Sequence, residues 1–135
     1  MRRPSVAPLL LALLPGALSA QVGDSSAAPR VYEAAEVDSA PRYVDQKNCG
    51  NAIPEYFPQR LPDGPRHGRV TYSFIVATDG TIEPASIVAT TPSEPAFIEP
   101  GRRLLLDPRC RLRPAIKDGH PVRARTRQSF SWRTP

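Results

Sequence analysis

The run Arg69-Val70-Thr71-Tyr72-Ser73-Phe74-Ile75-Val76 alternates, and Asp79-Gly80 follows it closely. Successive side chains of a strand point to opposite faces, so Val70, Tyr72, Phe74 and Val76 share one apolar face. Asp-Gly after such a run predicts a hairpin with a two-residue type I′ turn, whose central residues both need positive φ. In that register Tyr72 opposes Ile87, Phe74 opposes Ala85 and Val70 opposes Ala89. Pro84 then falls opposite Ile75, at an edge or a bulge. Each strand offers one apolar face, so the rest of the chain has to supply a cover for it.

The stretch from Arg111 to Trp132 carries a second alternation. Leu112-Arg113-Pro114-Ala115 is a short extended piece, and Lys117-Asp118-Gly119 is a turn signal. Beyond it Val122, Ala124, Thr126, Phe130 and Trp132 fall on one side. Arg123, Arg125, Arg127, Ser129 and Ser131 fall on the other. This is a half-buried strand from Val122 to Trp132 with an arginine row toward water.

Seventeen prolines in 135 residues exclude long helices, so the cover must be short pieces. Between Asp45 and Leu61, Ile53, Phe57 and Leu61 are spaced as one helical face, with Pro54 suited to a first turn. Pro58 falls in the interior, where it costs about 3 kcal/mol, so the segment is expected to be a broken helix. A second helix takes Phe97, Gly101, Leu104 and Leu105 inward and Arg102 and Arg103 outward. Ser93 is a candidate cap, and the regular part spans Pro100 to about Asp107, where Pro108 stops it. Val31 to Asp38 is expected as an extended edge segment. Its acids Glu33, Glu36 and Asp38 are taken as a solvated edge rather than a metal or acid/base site. The predicted fold is α+β, a two-layer sandwich with two short helices on one face of a small antiparallel sheet. The opposite face, with Thr71, Ser73, Ser86, Arg123, Arg125 and Arg127, is expected to stay wet.

The N-terminus has a basic start at Arg2 and Arg3, an apolar run through Val6 to Leu18, and small residues at Ser19 and Ala20. At about 1.5 Å per residue that run covers roughly 20 Å, short of the ~30 Å hydrocarbon core, so residues 1–20 are expected to be a signal peptide. The alternative is an uncleaved leader that holds the chain at the inner membrane. Residues 21–30 are small and polar and are expected to be disordered, leaving one domain over residues 31–135. Export makes Cys49 and Cys110 informative. They are the only cysteines, and an oxidising compartment favours their pairing over two buried thiols. Such a loop is worth roughly 4 kcal/mol in the chain-entropy account. Without Arg2 and Arg3 the balance is 16 Lys+Arg against 13 Asp+Glu. That surplus suits ordinary solubility and does not suit nucleic-acid binding.

The motifs together resemble a known family. Gly68, Val70, Phe74, Val76, Asp79 and Gly80 follow the hairpin pattern of the TonB C-terminal domain. Leu112-Arg113-Pro114-Ala115, Asp118-Gly119-His120-Pro121-Val122 and Phe130 follow its closing motif and last strand. Phe57-Pro58, with Tyr56 just ahead, is similar to its Tyr-Pro before the first strand. The chain departs from the pattern at Cys110, where the family has an aromatic, and at Pro100 and Pro108, which interrupt a normally regular helix. It carries no membrane anchor and no long Pro-rich spacer, so energy transduction by this chain alone is not expected.

The resemblance implies a periplasmic binding module that takes an extended peptide of an outer-membrane transporter or envelope partner as an added strand. The implied edge is Val122, Arg123, Ala124, Arg125, Thr126, Arg127 and Gln128, with Tyr56, Phe57 and Pro58 adjacent. A protein partner is expected, with no cofactor, no metal, no nucleic acid and no stable membrane span. Two other readings stand beside it: an arginine-face electrostatic binder of an acidic partner, and a disulfide-stapled domain that assembles or dimerises through strand edges. An enzyme is not expected, because His67 and His120 sit in turns and no nucleophile elbow or paired-acid motif accompanies them.

Overall fold

A computed structural model describes residues 29–57 and 63–133, together with Gly16. The expected leader, most of the polar stretch 21–30, and Pro58 lie outside the described residues.

The alternating run forms β2, His67–Val76, and it is the centre of a three-stranded antiparallel sheet. On one side lies β3, Val88–Thr90, and on the other β7, Ala124–Arg133. The β2–β7 ladder is unbroken from His67 opposite Arg133 to Val76 opposite Ala124. Val70, Tyr72, Phe74 and Val76 are buried on one face, as their period of two requires. Two helices cover them: α1, Gln46–Tyr56, and α2, Ile98–Leu105. Cys49 and Ala52 of α1, and Leu104 and Leu105 of α2, join the strand residues in one core with Phe57, Phe97 and Phe130. The two-layer α+β sandwich expected from the sequence is the fold observed.

Tyr72 shows how closely the layers meet. Its hydroxyl donates to the Ile98 carbonyl at 2.5 Å. It can do so because Gly101 stands above it, where a Cβ would come within 2.2 Å of the phenol oxygen. Burial pushes the Tyr72 hydroxyl well above its ordinary pKa, with the nearby Glu99 charge adding to the effect.

Several local expectations are corrected. The turn after β2 is not type I′: Gly80 has φ of 85°, but Asp79 is not in the positive-φ region. Instead Gly80 N–H donates to the Ala77 carbonyl and Ala77 N–H to that of Thr81. The Asp79 carboxylate accepts from both the amide and hydroxyl of Thr81. The type I′ geometry belongs to the other Asp-Gly pair, Asp118 and Gly119, with φ of 50° and 78°. These two residues join β5, Ala115–Lys117, to β6, His120–Val122. The β2–β3 register also differs from expectation, because Tyr72 opposes Ala89, not Ile87. A 3-10 turn at Pro84–Ser86 takes up the extra residues and keeps Pro84 out of the ladder.

The first helix starts earlier than its apolar spacing suggests. Asp45 caps it by accepting from the Asn48 amide, and Pro54 sits near its C-terminal end rather than in its first turn. Pro54 has no N–H to give the Gly50 carbonyl, and Gly50 is an exposed residue. Ser93 does not cap the second helix. Its hydroxyl donates to the Thr90 carbonyl and accepts from the Thr71 amide. Val122 lies in β6, opposite Ala115, so the final strand begins at Ala124. The face expected to stay wet is half-buried at Thr71, Ser73, Ser86, Arg123 and Arg125, and Ile75 on it is buried.

Cys49 and Cys110 form a disulfide, which ties α1 to the 3-10 turn Pro108–Cys110. Beside it Tyr56 donates to Asp107 at 2.5 Å, and Arg109 bridges Asp107 and Glu55 at 2.9 and 2.7 Å. The Arg109 guanidinium, then the Tyr56 hydroxyl, hold the Asp107 carboxyl well below the usual carboxylate range. A short ladder of β1, Arg42–Tyr43, with β4, Leu112–Arg113, completes this end.

Candidate functional site: the outer edge of the last strand

The two edges of the sheet differ in what their backbone has left to offer. On the β3 side the backbone of β2 finds partners beyond the ladder itself, although β3 is only three residues long. The Ser93 hydroxyl accepts from Thr71 N–H at 3.1 Å and the Ser86 hydroxyl from Ile75 N–H at 2.8 Å. Glu94 N–H donates to the Arg69 carbonyl and Glu83 N–H to that of Ile75. Side chains and loop amides thus meet part of the row that a longer strand would have filled.

These bonds also fix the parity of β7. Both polar groups of Ile75 point toward β3, so its pairing with Arg125 is of the kind that exchanges no hydrogen bonds. Odd-numbered residues of β7 therefore direct N–H and C=O away from the sheet. The N-terminal segment uses the first of these groups. Tyr32 N–H donates to the Arg123 carbonyl and Arg125 N–H to the Tyr32 carbonyl, each at 2.9 Å, in a single parallel bridge at Ala124. The chain then leaves the edge in a 3-10 turn, Ala34–Glu36, closed by reciprocal bonds between Glu33 and Glu36. From the Arg125 carbonyl to the Arg133 amide the outward groups have no backbone partner among the described residues. An unpaired row of this length is a template for another strand.

Of the residues implied by the family resemblance, Thr126 and Gln128 bond inward to β2, while Arg125 and Arg127 present backbone to the open edge. Arg123 and Ala124 lie under the Tyr32 bridge, and Val122 belongs to the β5–β6 hairpin. Phe57 is buried and stacks on Trp132 of β7, with centroids 4.9 Å apart and planes 9° apart. The core side of the strand's far end is thereby anchored beneath the helices. Tyr56 points elsewhere, into the Asp107 network. Ser129, Ser131 and Arg133 complete the open row; the sequence reading did not name them, because side-chain alternation alone does not tell which backbone groups of a strand point outward. Tyr32 contributes a single bridge, and its one apolar neighbour, Val31, gives no period to detect.

The arginine row is largely compensated. Arg123 makes a paired contact with Glu83, at 2.7 and 2.6 Å. That contact lowers the pKa of Glu83 and raises that of Arg123. Arg125 meets Glu33 at 3.3 Å. Arg127 is exposed and has no carboxylate partner among the described residues. The described residues contain no group of three or more His, Cys, Asp or Glu side chains placed to hold a metal.

A family model for the Gram-negative bacterial TonB protein C-terminal matches residues 54–134. The chain belongs to this family. No curated relative matches it at a significant level. TonB C-terminal domains are non-enzymatic protein-interaction domains of the Gram-negative envelope that bind outer-membrane transporters. The match runs from the last turn of α1 through β7. Tyr32 and Glu33 lie before it, so the bridge on the edge belongs to a part of the chain that the family pattern does not describe. No described helix is long and apolar enough to cross a membrane.

Proposed function

We propose that this TonB C-terminal domain acts in the periplasm by taking an extended peptide of an outer-membrane transporter, or of another envelope partner, as a fourth strand on the outer edge of β7. The observation that carries the reading is the outward row from the Arg125 carbonyl to the Arg133 amide. This row has no backbone partner among the described residues and meets one side-chain donor, the Gln128 amide on the Ser129 carbonyl at 3.0 Å. It is backed by a ten-residue ladder to β2 and anchored beneath by Trp132 and Phe130. Main-chain bonds supply the affinity of such contacts, and the side chains beside the edge supply selection. The β3 edge is a poor competitor because β3 is only three residues long and serine hydroxyls and loop amides meet the backbone of β2 on either side of it.

The test is amide hydrogen exchange of the disulfide-intact domain, titrated with synthetic peptides that cover the periplasmic segments of outer-membrane transporters. A bound peptide is expected to slow exchange at Arg127, Ser129 and Ser131 and to leave Arg125, already bonded to Tyr32, unchanged. Peptide binding that protects none of these amides would overturn strand addition at β7. A second copy of the chain is the competing occupant of the same edge. Sedimentation settles this, because a dimer at the concentrations of the exchange experiment would protect the same amides with no peptide present.

A further inference from the structure

The chain carries on its own edge a one-residue example of what it is proposed to bind. Tyr32 lies against β7 as an added strand, and the next residue, Glu33, places its carboxylate on Arg125. The segment is held from both sides: Arg123 donates to the Pro29 carbonyl and Lys117 to that of Glu36, both at 2.8 Å. Arg30 lies 4.6 Å above the Tyr32 ring. The 3-10 turn then carries the chain off the edge. The open row consequently has a fixed end, and the next arginine along it, Arg127, lies just past that end.

A cleft of about 600 Å3 opens beside it on the sheet face, between Glu33-Ala34 and Arg125, Thr126 and Arg127 of β7, and reaches across Ser73 of β2 to Thr90 of β3. Its charges do not cancel. Glu83 occupies Arg123 and Glu33 occupies Arg125, which leaves the Arg127 guanidinium as the uncompensated charge. Ser73, opposite Arg127 in the ladder, offers a hydroxyl and no carboxylate. One unmatched guanidinium beside a carboxylate suits a single acidic side chain. A polyanion would meet Glu33 as well.

We propose that this cleft is the end subsite of the β7 edge, and that it takes an aspartate or glutamate of the added strand against Arg127. The subsite rests on the strand-addition reading. It adds two things to that reading: a register, set where the strand meets the Tyr32 bridge, and a partner chemistry, an acidic residue at that end.

The experiment extends the full chain beyond Pro135 with a flexible linker and a guest strand of about eight alternating threonines and valines, the usual length of a sheet strand. A tether of this kind gives an effective concentration in the millimolar range, so that weak pairing is read. Single glutamates are moved through the outward-facing guest positions, each compared with glutamine, and exchange at Arg127 and Ser129 is measured. Guests of both kinds are expected to slow exchange. At one position glutamate should protect about threefold more than glutamine, the usual size of an exposed cross-strand charge pair. Arg127→Gln should remove that difference and leave the protection itself. Salt at about 1 M, where the Debye length is about 3 Å, should shrink it likewise. If glutamate and glutamine protect equally at every position, the subsite is wrong and strand addition stands. If no guest protects either amide, strand addition itself fails. Far-ultraviolet circular dichroism shows whether Arg127→Gln, an exposed change, has left the fold intact.

Discussion

The parity of β7 can be tested by placing proline at two adjacent positions. Gln128 is opposite Tyr72 and exchanges hydrogen bonds with it, whereas Ser129 directs its amide to the open edge. Gln128→Pro removes a ladder bond and forces a ring into the sheet, at a cost of about 3 kcal/mol or more. Ser129→Pro removes no ladder bond. It loses the contact of the Ser129 hydroxyl with Thr71, 2.8 Å long and exposed, worth about 1 kcal/mol. Peptide binding should reverse the order of sensitivity. Ser129→Pro deletes an outward donor and leaves a peptide carbonyl without a partner, together about 2 kcal/mol. That is roughly a thirtyfold rise in Kd. Urea unfolding followed by Trp132 fluorescence gives the stability half, and titration of a peptide that protects the edge gives the binding half. Equal stability losses for the two variants would refute the parity assignment. An unchanged Kd for Ser129→Pro, with the fold retained, would show that peptide binds elsewhere.

Gly101→Ala is expected to cost about 2 kcal/mol, because its Cβ would come within 2.2 Å of the Tyr72 oxygen; Tyr72→Phe in the same chain should recover part of the loss in thermal melts. Replacing both Cys49 and Cys110 by alanine should lower unfolding free energy by up to about 4 kcal/mol, since the bridge closes a loop across 61 positions; an unchanged urea midpoint would contradict this. Asp107 and Glu83 both have carboxyl pKa values lowered by their arginine partners. Their stabilisation is therefore present above the unfolded carboxyl range, about 4, and is lost as pH falls through it toward the folded values. Urea midpoints measured from about pH 5 to about pH 2 should fall, and Asp107→Asn should flatten that decline. A flat profile in the parent chain would refute the linkage.

Much of this architecture was legible because it rests on period-two alternation, which a sheet with one covered face imposes on β2 and β7. The hairpin motif and the Gly119-His120-Pro121-Val122 motif carried the family. The features that escaped are those in which side chains replaced backbone. Two Asp-Gly pairs look alike in sequence, and the one at Asp79 took a different turn because its carboxylate bonds Thr81 locally. The β3 register moved because Ser86 and Ser93 hydroxyls satisfy β2, which allows the strand to be short. The extent of α1 was hidden because the residues it buries, Cys49 and Ala52, are small and draw no apolar stripe. Its Asp45 cap, three residues before Asn48, was the available signal. At the edge, alternation told which side chains face the core. Only the bonds of Ile75 and Tyr32 told which backbone groups are left open.

The order in which the sheet can form follows from its longest ladder. His67 pairs with Arg133, 66 positions on, and Val76 with Ala124, 48 positions on. A chain delivered from its N-terminus holds β2 without its main partner until β7, 48 to 66 positions further on, has emerged. Pairings this distant form slowly, because the loop must close before any contact rewards it. During that interval the Ser86 and Ser93 bonds, local in sequence, can already cover one side of β2. The other side waits for β7, so the strand that presents the binding edge is also the one whose arrival completes folding. Peptide-binding competence and the finished sheet therefore appear together, and a chain truncated within β7 loses both.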